Sequence, residues 1–425
     1  MNYTIIEKCR VCGNRDLVDV ITFQPQYLSP TFVKSNMRNE LSEIKIPLTV
    51  VICSKVKDAS ACGLAQLKET TNPELLYTDY FYRSSATETM KNDLRNVVET
   101  VLAKVALKVG DVVVDIAAND GTMISFFPDK AKRFGVEPAK NIDWSHLDSS
   151  ITIVNDYFSK EALIAALSGE KVKIFTCCAM FYDLEDPNSF VADVKDLLAA
   201  DGVWCIQLSY LLSMIENMNF YDICHEHLEY YSLETLSYLM ERNGLTIYDA
   251  ELNGVNGGSA RVFITHTESA PEKTAQLKSL LSREYTFNLK NPLTLTKFDE
   301  AIERLSKTVR AYLKNEISRG NRVIGLGAST KGNVLLQLFG INKEMLPYIS
   351  EIAKEKIGLR TLGSDIELIS DEDANLLKPS VKLVLPWYFK REIIAREKPY
   401  LEQGGRLLFP MPYAHIVSLE GETNI

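Results

Sequence analysis

The chain has 425 residues, with 47 Lys plus Arg and 56 Asp plus Glu, for a formal net charge of −9. At roughly 150 residues per domain this length predicts about three domains, and an acidic chain without a basic block is a poor partner for nucleic acid. Hydrophobic content of 46% and charged content of 24% are those of a soluble globular protein, and no apolar run approaches the ~20 residues of a membrane helix.

The N-terminal residues carry no signal-peptide core. Eight cysteines in a long chain argue against a disulfide scaffold and predict a reducing, cytoplasmic location. Residues 1–70 read as short strands and turns that hold four of the cysteines. Cys9-x2-Cys12 is followed by Gly13, which permits the tight turn that presents two thiolates to one ion. Cys53 and Cys62 lie further on, separated by eight residues, and Cys62 is also followed by glycine. Four thiolates complete a tetrahedral Zn²⁺ and leave no open position, so the cluster reads as a structural zinc site; the alternative is four ordinary thiols. Residues 71–100 read as helix-rich, with Leu94, Val97, Val98, Val101 and Leu102 at helical spacing.

Residues 105–267 alternate strand-like runs with helical segments, the pattern of a mainly parallel sheet covered by helices. Strands are predicted at 112–116, 133–137, 151–154, 172–176 and 203–208. A helix over 233–243 follows, with Ser232 as its cap and Gly244 after its end. Two further strands, 246–250 and 261–266, flank a glycine-rich turn. Cys177, Cys178 and Cys205 fall in strand-like runs and read as core residues.

The first of these strands runs into Ile116-Ala117-Ala118-Asn119-Asp120-Gly121-Thr122, a small-residue turn predicted to open a helix. Such a turn lets a ligand approach the backbone at the carboxyl end of a sheet. Glu137 lies 22 residues after Asp115, near the offset at which an acid reaches ribose hydroxyls. The turn lacks G-x-G-x-x-G, which points away from a dinucleotide. S-adenosylmethionine has no pyrophosphate to cradle and tolerates an acidic turn; the alternative is a generic strand–helix turn. Asp115, Ala117, Asn119, Asp120, Gly121, Thr122, Glu137 and Asp156 are the cofactor-binding candidates.

Two of the five histidines lie in Cys224-His225-Glu226-His227. Histidine titrates near neutrality and a neighbouring carboxylate tunes it, so this polar cluster is a candidate for proton transfer. The H-E-x-x-H zinc pattern does not apply, because histidines two apart do not share a helical face.

Residues 268–320 are predicted mostly helical. Phe298, Ile302, Leu305, Val309, Leu313 and Ile317 form one apolar stripe on a long helix, read as packing between domains. A second strand–turn–helix alternation runs from Arg322 to Pro412. Its first turn, Gly325-Leu326-Gly327, has Thr330 at the third glycine position. Backbone amides at that helix start, with Lys331, are candidates for a diphosphate, against a purely structural turn. Trp387 lines the same cleft or belongs to the core.

These motifs together resemble the bacterial nucleotide-sugar C-methyltransferases that install methyl branches on deoxysugars. Cys9-x2-Cys12 and Cys62-Gly63-Leu64-Ala65-Gln66-Leu67 are similar to the zinc module of that family. Tyr80-Phe81-Tyr82-Arg83-Ser84-Ser85 resembles its tyrosine-rich sugar segment. Asp115 to Thr122 resembles its D-I-G-S-N-D-G-T turn, and Phe220 to His227 its F-D-T-I-Y-H-E-H stretch. Gly257-Gly258-Ser259-x-Arg261 resembles its G-G-S-x-R turn. Gly325 to Asn333 and Gly404-Gly405-Arg406 resemble parts of its C-terminal domain.

The resemblance implies an α/β fold with a small N-terminal zinc module (1–75), a Rossmann-like class I methyltransferase domain (76–270), a helical connector (271–320) and a C-terminal Rossmann-like α/β domain (321–425) that helps hold the nucleotide sugar. It implies S-adenosylmethionine and structural Zn²⁺ as cofactors, and no nucleic-acid or membrane partner. A monomer or homodimer is expected. The implied reaction removes a proton beside the ketone of a nucleoside-diphosphate 4-keto-6-deoxysugar and methylates the carbon. His227 would be the base, Glu226 and His225 would assist, and Tyr82 would contact the sugar or enolate. Tyr80, Arg83, Ser259, Arg261, Gly327, Lys331, Asn333 and Trp387 are the substrate-binding candidates, and Cys9, Cys12, Cys53 and Cys62 the metal ligands.

Four departures stand out. Cys224 replaces the usual Tyr. Met180-Phe181-Tyr182-Asp183 stands where a His is common. Asn256 stands where His often precedes the G-G-S turn, and the Cys53–Cys62 stretch carries an insertion. A carboxylate at Asp183 would be unfavourable beside developing negative charge unless protonated or turned away. O-methylation, enolisation by an epimerase, and a zinc-stabilised binding module for nucleotide sugars are the alternative readings.

Overall fold

The computed structural model describes residues 2–29, 32–34, 44–54, 60–77 and 82–425. Near the N-terminus, the strands Leu17–Tyr27, Lys45–Cys53 and Ala65–Leu67 form an antiparallel sheet. The first two of these have 11 and 9 residues, longer than the short strands expected from sequence.

Helix Glu88–Lys104 starts where the Thr87 side chain accepts the Met90 amide, and it buries Leu94, Val97, Val98 and Val101. The central sheet follows. Val112–Ile116 and Ile151–Val154 match the predicted limits, and Lys132–Val136 is shifted by one residue. Val172–Cys178 and Leu198–Ser209 are longer than predicted. In chain order these five parallel strands are arranged 3-2-1-4-5, and the antiparallel strands Ser259–His266 and Leu245–Asn253 complete one edge. The order reverses between Val112–Ile116 and Val172–Cys178, and the crevice at their carboxyl ends is where doubly wound sheets bind ligands.

The helix predicted after Gly121 does not form. A single 3-10 turn, Ile124–Phe126, stands in its place. Pro128 explains this: a residue before proline is pushed out of the helical region, and Phe127 is extended at φ −71°, ψ 145°. Ser232 caps Leu233–Arg242 as expected, and Thr235 completes a reciprocal capping box.

The long helix Pro292–Ser318 buries Leu295, Phe298, Ile302, Leu305, Val309 and Leu313. Its last expected apolar position is corrected. Ile317 is 38% exposed, and Glu316 is buried in its place, held by Arg406 at 2.7 Å and Asn321 at 2.6 Å.

The C-terminal sheet repeats the doubly wound order. Val323–Leu326 lies between Tyr348–Glu351 and Val381–Val384, with Glu367–Ser370 and Arg406–Phe409 outside them, all parallel. The three units exchange strands across the limits drawn from sequence. Phe32–Lys34 pairs with Leu359–Thr361 at the edge of the C-terminal sheet. Glu229–Tyr230 pairs with Ala65–Leu67 in the N-terminal sheet. Among the described residues, no helix is long and apolar enough to cross a membrane.

Candidate functional site

The N-terminal thiols converge. Cys9 Sγ lies 3.5 Å from Cys62 Sγ and Cys12 Sγ 3.4 Å from Cys53 Sγ, and all four sulfurs fall within 4.8 Å of one another. Tetrahedral Zn–S bonds of ~2.3 Å require sulfurs about 3.8 Å apart, so this donor set fits zinc. The turn is tight because Gly13, at φ +77°, lets its amide reach the Cys9 carbonyl at 2.9 Å.

The turn after Val112–Ile116 is built by unusual backbone. Ala117, Asn119 and Gly121 have φ of +56°, +50° and +79°. Glu137 stands at the end of the neighbouring strand, and its oxygens accept the Asn119 and Ala139 amides at 2.9 Å each. A carboxylate offers about four lone-pair sites, so two remain for hydroxyls. Asp156 is exposed at the end of the next strand on the same edge.

Four of the expected cofactor residues have protein partners. Asp115 is 1% exposed and accepts the Thr176 hydroxyl at 2.9 Å, and burial pushes its carboxyl up to about 8. Asn119 and Asp120 accept the Ser84 and Ser85 amides at 3.0 and 2.9 Å, which fastens the segment after Tyr82 to the turn. Thr122 donates to Asp120 at 2.6 Å. Tyr82 is 45% exposed there, and the Arg83 guanidinium donates to the Asn141 carbonyl at 2.9 Å. Tyr80 lies outside the described residues.

Tyr182 follows the strand on the other side of the crevice. Its ring lies 4.3 Å from that of His227, and its carbonyl accepts the Leu228 and Glu229 amides at 2.7 and 3.0 Å. These contacts bring His227 to the crevice. His227 Nδ1 lies 2.8 Å from the Asp222 carbonyl, which accepts only a proton-bearing nitrogen, so Nε2 is the free acceptor. Burial, opposed by Asp222 and aided by Lys331, lowers its pKa to about 4. Burial raises the Glu226 carboxyl to about 7, with Lys331 pulling the other way.

Asp183 has a buried Oδ1 without a hydrogen-bond partner, and burial together with Glu226 and Glu229 holds its carboxyl well above the usual range. Burial and its acidic neighbours thus disfavour a charge on Asp183. Cys224 is 2% exposed, and burial pushes its thiol up.

The second crevice faces the same loop. Lys331 Nζ lies 2.8 Å from Asp222 Oδ1 and 3.3 Å from the Asn256 carbonyl, with the Tyr221 ring 4.9 Å away. Trp387 donates its indole N–H to the Tyr221 hydroxyl at 2.6 Å. Phe220 stacks on Phe339 at 5.1 Å. Residues 220–227 therefore lie between the mouths of the two doubly wound units.

Several residues expected to contact substrate have protein partners here. Lys331 and Trp387 hold the loop. Arg261 is 1% exposed, and its guanidinium is held by Gln207 at 2.9 Å, Glu251 at 2.8 Å, and Asn96 and Thr100 at 3.0 Å each, under helix Glu88–Lys104. Ser259 is 2% exposed and donates to the Val255 carbonyl at 3.0 Å. Asn333 is 1% exposed and donates to the Ser29 carbonyl at 2.8 Å. Gly327, at φ +78°, packs against Pro386 and donates its amide to the Ser350 carbonyl at 2.8 Å. His225 is 1% exposed, with Nε2 3.2 Å from the Ile46 carbonyl, so it ties the loop to the N-terminal sheet.

The G-G-S turn also has a packing reason. Gly257 sits at φ +91°, and a Cβ there would meet the Asn219 amide at 2.6 Å. Sequence reading passed over Arg10, Glu229 and Glu351. Glu351 repeats the role of Glu137: it accepts the Ala328 amide at 2.8 Å across the first turn of its own unit. Its signal was its place at the end of a second parallel strand.

A two-crevice α/β protein with a tetrathiolate module and a half-buried histidine between the crevices has the layout of a group-transfer enzyme. Comparison with known proteins makes this specific. A zinc binding domain model matches residues 9–77, a methyltransferase domain model residues 86–250, and a C-methyltransferase C-terminal domain model residues 254–412. The chain is 30% identical over 418 residues to C-methyltransferase NovU of Streptomyces niveus, covering 98% of each.

Solved structures include an S-adenosylmethionine-dependent methyltransferase from Clostridium acetobutylicum, 12% identical, with a TM-score of 0.34 over 43% of this chain and 93% of that one. Magnesium protoporphyrin IX methyltransferase from Synechocystis is 13% identical, with a TM-score of 0.32 over 41% of this chain and 79% of that one. The chain belongs to the C-methyltransferase family that joins these three domains. It is an S-adenosylmethionine-dependent C-methyltransferase with a structural zinc site.

Proposed function

We propose that the chain methylates the carbon beside the ketone of a nucleoside-diphosphate 4-keto-6-deoxysugar, with His227 as the base. The observation that carries this reading is the His227 ring. Its Nδ1 is 2.8 Å from the Asp222 carbonyl, and its ring centre lies 4.3 Å from that of Tyr182 at the crevice. Such a histidine presents an unprotonated Nε2 at neutral pH, and burial keeps it so. A proton beside a ketone is weakly acidic, so the base must act where the enolate oxygen meets hydrogen-bond donors and little water. Glu226, raised to about 7, can hold a proton for that oxygen. Burial disfavours a charge on Asp183, which lessens its repulsion of the developing negative charge.

When bound, S-adenosylmethionine supplies an electrophilic methyl group. Glu137 and Asp156 are the acids proposed to orient its hydroxyls and base, with the backbone of residues 117–122 beneath it. Tyr82 stands over that turn and is proposed to contact the sugar. The nucleoside diphosphate is proposed to lie toward the second crevice, where the amides of residues 329–331 open helix Thr330–Leu338. Its place in deoxysugar biosynthesis follows from this substrate class.

The test is incubation with S-adenosylmethionine and a panel of nucleotide-linked 4-keto-6-deoxysugars in heavy water, read by mass spectrometry. The expected product gains one carbon-linked methyl, and His227→Asn gains neither methyl nor deuterium. Deuterium without methyl from the wild type would replace this reading with an enolising epimerase. A methyl on oxygen without deuterium uptake would replace it with O-methylation.

A further inference from the structure

The zinc loop and the loop carrying His227 are joined by one side chain. Arg10 lies between Cys9 and Cys12, so its backbone is set when the thiolates are gathered. Its Nη1 donates to the Leu67 carbonyl at 2.6 Å and its Nη2 to the Thr70 hydroxyl at 2.7 Å. The same Nη1 reaches the Leu228 carbonyl at 3.5 Å, and Nε lies 3.7 Å from the Glu229 carboxylate. Leu228 and Glu229 are the two residues after His227. The Arg10 and Glu229 side chains are 3% and 0% exposed.

The backbone makes a second link in the same place. The Leu67 amide donates to the Leu228 carbonyl at 2.8 Å. Glu229 pairs with Gln66 and Tyr230 with Ala65, three residues beyond Cys62. Arg10 is itself fixed on its other side: its amide donates to Gln66 Oε1 at 3.0 Å, and the Asn188 side chain donates to the Arg10 and Val11 carbonyls at 2.9 and 3.0 Å. Opposite, Tyr182 holds the Leu228 and Glu229 amides and lies against the imidazole. The chain just after His227 is therefore clamped between the zinc module and the crevice.

A guanidinium suits this task because its planar fork reaches several acceptors from one rigid group, which a lysine ammonium does not. We propose that Arg10 is a positioning residue that couples the zinc site to His227: gathered thiolates hold Arg10, Arg10 holds Leu228 and Glu229, and their register sets the imidazole against Tyr182. The proposal rests on the reading of His227 as the base.

The test uses the full-length protein with Arg10→Lys and Arg10→Ala. Zinc content, amide hydrogen exchange of residues 222–231, and deuterium entry beside the ketone of a 4-keto-6-deoxysugar nucleotide are measured, the last without a methyl donor. Both variants are expected to keep one zinc per chain and to exchange amides faster in 222–231. Substrate deuteration should slow about tenfold or more, since a misplaced catalytic group costs up to ~10²-fold, while KM stays within about twofold. Chelation of zinc from the wild type should expose 222–231 while Val112–Ile116 stays protected.

The proposal is overturned by a zinc-loaded Arg10→Lys protein with wild-type protection and wild-type deuteration, or by chelation that leaves 222–231 protected. The lysine variant and the chelation arm decide the matter even where Arg10→Ala fails to fold. Amide exchange needs no substrate. A His227→Asn protein that still deuterates the sugar would therefore remove the base reading without touching the coupling.

Discussion

Lys331 of the C-terminal unit lies 2.8 Å from the Asp222 carboxylate, and the Asp222 carbonyl lies 2.8 Å from His227 Nδ1. One residue thus joins the second crevice to the histidine at the first. The Asp222 side chain is 2% exposed and that of Lys331 17%. Burial works against the ammonium, but Asp222 and Tyr388 lift its pKa above the ordinary lysine value, so it stays charged. Removing one partner of a buried pair leaves an uncompensated charge and costs about 3–5 kcal/mol. Lys331→Met is therefore expected to lower stability in urea by about 3 kcal/mol. Adding Asp222→Asn should restore a large part of that loss, as a double-mutant cycle will read. A loss in the double variant equal to the sum of the losses in Lys331→Met and Asp222→Asn would show that the pair holds nothing.

Arg261 gives a contrasting expectation. Its guanidinium has four partners at 3.0 Å or less, all from protein, and it is 1% exposed. Arg261→Met should destabilise the protein by about 3 kcal/mol or more, because Glu251 and Gln207 lose their cation. At a temperature where the variant stays folded, its KM for the sugar nucleotide should be unchanged. A raised KM with intact stability would return Arg261 to the substrate.

The protein partners of Arg261 were not evident from its own motif. Its motif lies in a turn next to the loop, which suggests ligand contact. The signal to the contrary was on another element. Asp93, Asn96 and Thr100 recur at helical spacing beside the apolar Leu94, Val97, Val98 and Val101, a polar stripe where a helix covers a buried arginine. Local features were legible: the thiol pairs, the Ser232 cap, and strands such as Val112–Ile116. Each depends on neighbours in sequence. Strand exchange depends on distant chain, as in Glu229–Tyr230 against Ala65–Leu67. The polar employment of Lys331 and Trp387 likewise depends on how two units meet, which spacing does not encode.

The cofactor turn contains a residue that does not suit its backbone. Ala117 sits at φ +56°, where a side chain meets the backbone and glycine does not. Ala117→Gly is expected to stabilise the protein by roughly 0.5–1 kcal/mol, with the freer unfolded chain offsetting part of the relief. Thermal unfolding measures this, and calorimetry with S-adenosylmethionine shows whether the relaxed turn binds more tightly. A clear loss of stability would mean that the Ala117 methyl packs in a way that outweighs its backbone strain.

Acid–base behaviour follows from the two groups at the crevice. The folded His227 pKa of about 4 lies below the ~6.5 of an unfolded histidine. The unfolded chain therefore takes up the proton first as pH falls. The stability that the neutral ring contributes is present above about 6.5 and is lost progressively toward 4. His225, also lowered to about 4 by burial, adds to the same loss. Activity has its own limits. With His227 as base, kcat/KM should rise through the lower value and stay high while the imidazole is free. With Glu226 as proton holder, it should fall as that carboxyl ionises near 7. The apparent midpoints belong to the cluster, since the groups and Lys331 interact. Glu226→Gln cannot ionise, so its profile should lose the upper fall and keep the lower rise, at a reduced plateau. Persistence of the fall near neutrality in Glu226→Gln would remove that carboxyl from the proton path, while a flat profile above the rise would fix it there.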